Sequence, residues 1–184
     1  MYIDTNTGLL ENCNQRPSPN KDSRPENTVI DLIVLHSISL PPGQYGGHEI
    51  EQFFQNKLDR NQHPYFEEIH QMQVSSHILI KRSGEIVQFV PFHERAWHAG
   101  KSNYCGRECC NDFSIGIELE GSDTDTFEDI QYRQLAQLIA ALQASYPAIS
   151  DHITGHSDIA PGRKTDPGTG FDWNRLNNYR KARA

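Results

Sequence analysis

VIDLIVLHS, residues 29–37, is a run of branched and leucine side chains broken only by Asp31. A strand with one face in water alternates polar and apolar residues. This run has no polar face, so it suits a strand covered on both sides, as in α/β proteins. It closes at His36, where a strand end can release a side chain from the core into a cleft.

Working outward, GGHEIEQFFQN (46–56) predicts a short helix with Ile50, Phe53 and Phe54 on its apolar side. DRNQHPYFEE (59–68) predicts a polar loop. SSHILIKRSGEIVQFVPF (75–92) predicts a hairpin, because two strand-like runs flank the turn dipeptide Ser83-Gly84. FSIGIELEG (113–121) alternates: Ile115, Ile117 and Leu119 share one face, and Ser114, Gly116, Glu118 and Glu120 the other. DIQYRQLAQLIAALQASY (129–146) predicts an amphipathic helix with Leu135, Leu138, Ile139, Leu142 and Tyr146 on one stripe, and Pro147 stops it. FDWNRLNNYRKA (171–182) predicts a last short helix. The fold class is therefore α/β, a mixed central β-sheet of about four to six strands flanked by helices. Residues 1–28, polar and carrying Pro17, Pro19 and Pro25, are expected to form an irregular arm packed on the domain.

The 184 residues suffice for one domain with a real core. With 24 acidic against 17 basic side chains the net charge is −7, which argues against a nucleic-acid partner. The first twenty residues have no basic segment followed by an apolar one, and no apolar run approaches membrane-spanning length. A cytoplasmic protein without membrane contact is expected. Cys13, Cys105, Cys109 and Cys110 are expected as reduced thiols, since the last three fit no common zinc spacing.

The chemistry concentrates in TGHSDIAPGRKTDPG, residues 154–168. His156 and Asp166 are separated by nine residues that include Pro161 and Gly162, so the loop can fold back and bring both to one ion. With His36 they would make a three-ligand metal site with an open position. Lys164 lies two residues before Asp166 and in extended chain points the same way. A salt pair in water is the plainer reading of Lys164 and Asp166, as a strand cap is of His36. Glu118 or Glu120 could act as general acid/base beside a metal; sharing a face, they are not separated by spacing. Trp97, beside His98, could stack on a sugar ring or simply pack in the core.

Several motifs stand together in order: RPSPN (16–20), HSISLPPGQYGG (36–47), HPYF (63–66), VSSHILIKRSGEIVQFVPF (74–92), RAWHAG (95–100), NDFSIGIELEG (111–121), and TGH with IAPGRKTDPG and FDW toward the end. In these the chain resembles the zinc-dependent N-acetylmuramoyl-L-alanine amidases related to peptidoglycan-recognition proteins. It is most similar to those acting on soluble 1,6-anhydro-muropeptides in cell-wall recycling. The resemblance implies an amidase domain over residues 29–184 and one zinc ion per chain, Zn²⁺, on His36, His156 and Asp166. It implies Glu118 as general acid/base and Lys164 as the oxyanion partner. Trp97, His98 and Arg107 would line the substrate groove. The partners implied are small soluble anhydro-muropeptides, with no obligate protein partner. A non-catalytic peptidoglycan-binding module on the same fold, or an amidase of polymeric wall, are the alternatives. Ser37 and Gln73 depart from the family pattern, which has an amide and an arginine there. Both positions bear on holding the stem peptide.

Overall fold

The computed structural model describes residues 1–182. In chain order the strands are β1 (Ile3–Asp4), β2 (Leu9–Leu10), β3 (Asn14–Gln15), β4 (Lys21–Ser23), β5 (Leu32–Ile38), β6 (Ile78–Ile80), β7 (Ile86–Gln88), β8 (Glu94–Ala96), β9 (Asn103–Tyr104), β10 (Arg107–Glu108), β11 (Ser114–Glu120) and β12 (Ile153–Gly155). The helices are α1 (Glu49–Phe54), α2 (Pro64–Ile69), α3 (Asp129–Ser145), α4 (His156–Ile159) and α5 (Trp173–Lys181).

Six strands form the central sheet in the order β12-β5-β11-β6-β7-β3. β12, β5, β11 and β6 run parallel, and β6 turns back on β7 as the antiparallel hairpin expected around Ser83-Gly84. β5 lies inside the sheet with both faces covered, as its composition requires. Ile33 and Leu35 face α3 and α5 in a core with Ile115, Ile117, Leu119, Leu138, Leu142 and Leu176. Leu32 and Val34 face the opposite layer, against Ala99, Phe113 and Ile159. α3 ends at Ser145 just before Pro147, and at its start the Gln131 side-chain oxygen accepts from the Glu128 backbone amide at 2.9 Å.

Two expectations need correction. The 59–68 segment is not all loop. Pro64 opens α2, His63 Nδ1 accepts the Tyr65 amide, and Phe66 and Ile69, three apart, are buried. Proline at the first helical position and a side-chain cap suffice to start a short helix. The arm at 1–28 is not irregular throughout, for four short strands interrupt its turns and pair with one another or with the domain. β1 pairs β2, β3 extends the sheet beyond β7, and β4 pairs β8. Arg24 then fastens it, donating to the carbonyls of Asn111, Asp112, Phe92 and Ser114 at 2.8–3.1 Å.

The layer carrying α1 is tied down by charge. Glu51 of α1 meets the buried Lys81 ammonium and, at 3.2 Å, Arg16 Nε. Burial pushes the Glu51 carboxyl up, but its bonds from Lys81, His48 and Arg16 outweigh this and hold it below the usual value. Its contribution is therefore present above the ordinary carboxylate pKa and lost as pH falls through the lower folded value. Glu51→Gln leaves Lys81 with only Glu85, 3.8 Å away. We expect a loss of about 3 kcal/mol in a urea melt, the low end for a broken buried pair. A loss under about 0.5 kcal/mol would put the pair among surface ion pairs.

Candidate metal centre and active site

The parallel strands β5, β11 and β12 release their C-terminal ends on one side of the sheet, the place where open α/β sheets gather ligands. His36 and Glu118 are register partners on β5 and β11, and both leave the sheet on the face away from α3. Neighbouring strands lie about 4.8 Å apart, so this register alone sets the two side chains side by side. Gly155 pairs Leu35, which delivers His156 beside His36 as α4 begins. Asp158 holds that turn, accepting from Gly155 N and Thr154 Oγ1, both at 2.9 Å. The loop then folds back on itself. Arg163 N and Lys164 N donate to Ala160 O, and Ser157 N donates to Asp166 O at 2.9 Å, which returns Asp166 to the start of α4.

Three atoms converge there. His36 Nδ1, His156 Nδ1 and Asp166 Oδ2 are each 3.0 Å from the other two. Protons do not satisfy such a triangle: each Nδ1 carries at most one, and two protonated nitrogens would face each other. A cation at the centre satisfies all three contacts. Donors about 2.0 Å from a tetrahedral ion lie about 3.3 Å apart, close to what is found. The two histidines and the carboxylate are thus a group able to hold a metal ion.

The electrostatics agree with that use. Burial pushes His36 down to about 4 against the pull of Asp166, so its ring is neutral and able to ligate at neutral pH. Burial raises the Asp166 carboxyl, but the bonds from His156 and His36 prevail and hold it ionised far below the usual range. Glu118 goes the other way. Burial, and then the nearby Asp166 charge, push its carboxyl well above 4.5, with Lys164 opposing. Its Oε2 is buried without a hydrogen-bond partner. An unpaired carboxyl oxygen at a metal-ligand cluster is equipped to take and return a proton. Glu120 has no such freedom: its oxygens accept from Gly46 N at 2.6 Å and Arg82 N at 2.9 Å. The polar face of β11 is buried throughout, with only Glu118 facing the centre.

These residues floor a cleft of about 490 Å³, with Lys164 exposed at its rim. The far wall is apolar, built from Leu40, Phe53, Tyr65, Ile69 and Met72. Trp97 lines the cleft, its indole N–H donating to Asp22 at 3.1 Å, which leaves the ring face as the contact surface. Ser37 is there too, donating to Asp123 at 3.2 Å, while Gln73 is exposed beside the lining residues Met72 and Val74. Arg107 lies outside the cleft. It sits on β10, paired to Asp31 at 2.5 Å with its guanidinium 3.7 Å above the Phe113 ring, in a different surface depression. His98 borders the cleft, yet both ring nitrogens are within bonding distance of protein groups, His36 and Ser114.

Sequence reading passed over several supporting groups. Asn111 Oδ1 accepts from His98 N and Ala99 N, at 3.1 and 2.8 Å, and so shapes the 97–100 segment. Ala99 O lies 3.2 Å from His156 Nε2 and accepts from Arg163 at 2.6 Å. Asp123 joins Ser37 to Thr165 next to Lys164. No local signal marks these roles, because each depends on contacts between distant segments.

Known proteins share this arrangement's sequence. The family model described as N-acetylmuramoyl-L-alanine amidase matches residues 26–169. The 1,6-anhydro-N-acetylmuramyl-L-alanine amidase AmpD of Salmonella typhimurium strain SL1344 is 58% identical over 169 residues, covering 92% of this chain and 90% of that protein. The crystal structure of a selenomethionine derivative of AmpD superposes with a TM-score of 0.94 at 54% identity, over 97% of this chain and 99% of the other. The Escherichia coli amidase AmiD, solved with anhydro-N-acetylmuramic acid-L-Ala-D-γ-Glu-L-Lys, matches with a TM-score of 0.60 at 30% identity, over 85% of this chain and 60% of that one.

Proposed function

The chain belongs to the N-acetylmuramoyl-L-alanine amidase family, and from that premise we propose that it hydrolyses the amide between 1,6-anhydro-N-acetylmuramic acid and the L-alanine of soluble muropeptides, as a zinc enzyme of cell-wall recycling. The observation that carries this is the His36–His156–Asp166 triangle with the unpaired Glu118 oxygen at its side, in a family member similar to AmpD over nearly its whole length.

His36, His156 and Asp166 are the zinc ligands in this reading, two imidazole nitrogens and a carboxylate with room for a fourth position. When bound, the ion supplies Lewis acidity, polarising the amide carbonyl and making water easier to deprotonate. Glu118 Oε2 takes the proton of the attacking water and gives it to the departing alanine nitrogen. Its raised pKa suits both directions of that transfer. The Lys164 ammonium faces the same cleft and donates to the oxygen that gains negative charge. The Trp97 face and the apolar wall position the sugar and stem peptide and keep water off the reacting bond.

Lys164→Ala separates binding from turnover. An interaction made only with the developing oxyanion affects kcat and leaves ground-state affinity alone. We expect zinc content and the affinity of an uncleaved analogue to stay near wild type while kcat falls roughly 10²–10³-fold. Weakened analogue binding with normal kcat would make Lys164 a substrate-positioning residue instead.

Substrate choice tests the whole reading. Free stem peptide released from soluble anhydro-muropeptides and from polymeric sacculi is compared by mass spectrometry at equal enzyme. Soluble substrate should be cleaved far faster. Equal rates would favour an amidase of intact wall, and release from neither would favour a binding module.

A further inference from the structure

His98 stands behind the metal centre, with Nδ1 3.0 Å from His36 Nε2 and Nε2 3.2 Å from Ser114 Oγ. Ser114 Oγ in turn donates to Cys110 O at 2.5 Å. The direction of every bond follows from the far end. A backbone carbonyl only accepts, so the hydroxyl hydrogen of Ser114 is committed to Cys110. Its oxygen is then the acceptor for His98, whose single N–H must sit on Nε2. That leaves His98 Nδ1 as an acceptor, so the single N–H of His36 is on Nε2. His36 Nδ1 is consequently bare where it meets His156 and Asp166, the state a metal ligand needs.

Room for this ring is reserved in the sheet. A Cβ on Gly116 would lie 2.5 Å from His98 Cγ, closer than side chains tolerate, so glycine at the centre of β11 lets the imidazole lie on the strand. Asn111 fixes the backbone on either side of it, and the next carbonyl, Ala99 O, is placed for the outer nitrogen of His156. One short segment thereby orients both ligating imidazoles.

We infer that His98 is a positioning residue rather than a substrate contact: held by Ser114, it fixes the tautomer and ring orientation of His36 from behind. The inference rests on the reading that His36 Nδ1 binds zinc. A neutral imidazole in this place adds no negative charge behind the ligand, unlike the carboxylate that often fills it, and so leaves the ion the more electrophilic.

The test compares His98→Phe, His98→Asn and Ser114→Ala by zinc affinity, from competition with a chromogenic chelator, and by ¹⁵N spectra of the imidazoles in metal-stripped protein. Wild type should bind zinc and show His36 as the single Nε2–H tautomer. His98→Phe keeps a ring but offers no acceptor; its zinc affinity should fall roughly 10–100-fold and His36 should become a tautomer mixture. In His98→Asn the side-chain oxygen stands where Nδ1 stood, and most of the affinity should return. Ser114→Ala should weaken zinc only a few-fold and tests the same chain without disturbing the ring. Wild-type affinity in His98→Phe with an unchanged His36 tautomer overturns the inference, as does His98→Asn no better than His98→Phe. Wild-type protein with no zinc affinity overturns the metal reading itself, and it does so before any variant is made.

Discussion

His156→Ala protein should purify without stoichiometric zinc and without measurable turnover, while its fold persists. The magnitude follows from the donor set. Apparent zinc binding energies of about 10–16 kcal/mol, spread over four positions, assign each ligand about 2.5–4 kcal/mol, or roughly 10²–10³-fold in affinity. Turnover follows occupancy, so both signals should vanish together at trace metal and return in part with millimolar zinc. The fold survives because the core that holds the strands together, with Ile33, Leu35, Ile115, Ile117, Leu138 and Leu142, uses none of the three donors. Metal analysis, turnover and a thermal melt on one preparation decide it. One equivalent of zinc in a fully active His156→Ala protein would remove His156 from the ligand set.

Glu118→Gln should retain zinc and lose roughly 10²–10⁴-fold in kcat, the range for a missing acid/base. The substitution keeps the shape and removes the proton acceptor, so packing beside His36 is preserved. Glu120→Gln is the contrasting experiment. Its carboxylate accepts two backbone amides, and one of the two would meet an NH₂ group after substitution. That leaves a buried donor unpaired at a cost of about 1–3 kcal/mol in stability, with little effect on turnover at temperatures where the protein is folded. If Glu120→Gln lost the greater turnover while folded, the proton would have to travel through Glu120.

Much of this was legible in the residues. The doubly buried β5 followed from its composition, and the two faces of β11 from alternation. What alternation does not contain is register. His36 opposite Glu118 is a relation between strands roughly eighty positions apart in the chain, and only with it does one glutamate separate from its neighbour two residues on. Arg107 and His98 show the same limit. Each lies near a motif that belongs to the cleft, yet Asp31 and Phe113 hold the first elsewhere, and His36 and Ser114 engage both ring nitrogens of the second. α2 was missed for a more local reason: polar letters in the 59–68 segment masked a proline start, a histidine cap and two apolar residues three apart.

The three converging donors come from a strand near the start of the domain and from the first residue of α4 and the loop after it, 120 and 130 residues further on. A nascent chain emerging from the ribosome therefore has no site to offer until it has been made through Asp166 and β12 has docked beside β5. No fragment ending before that loop could sequester the ion, and a misfolded copy would release it. An ion held there acts on the folded state alone, at a hundredfold excess over its Kd adding about 2.7 kcal/mol. With zinc as the proposed occupant, supply of the metal would then influence how long the finished protein survives quality control, as well as how fast it works.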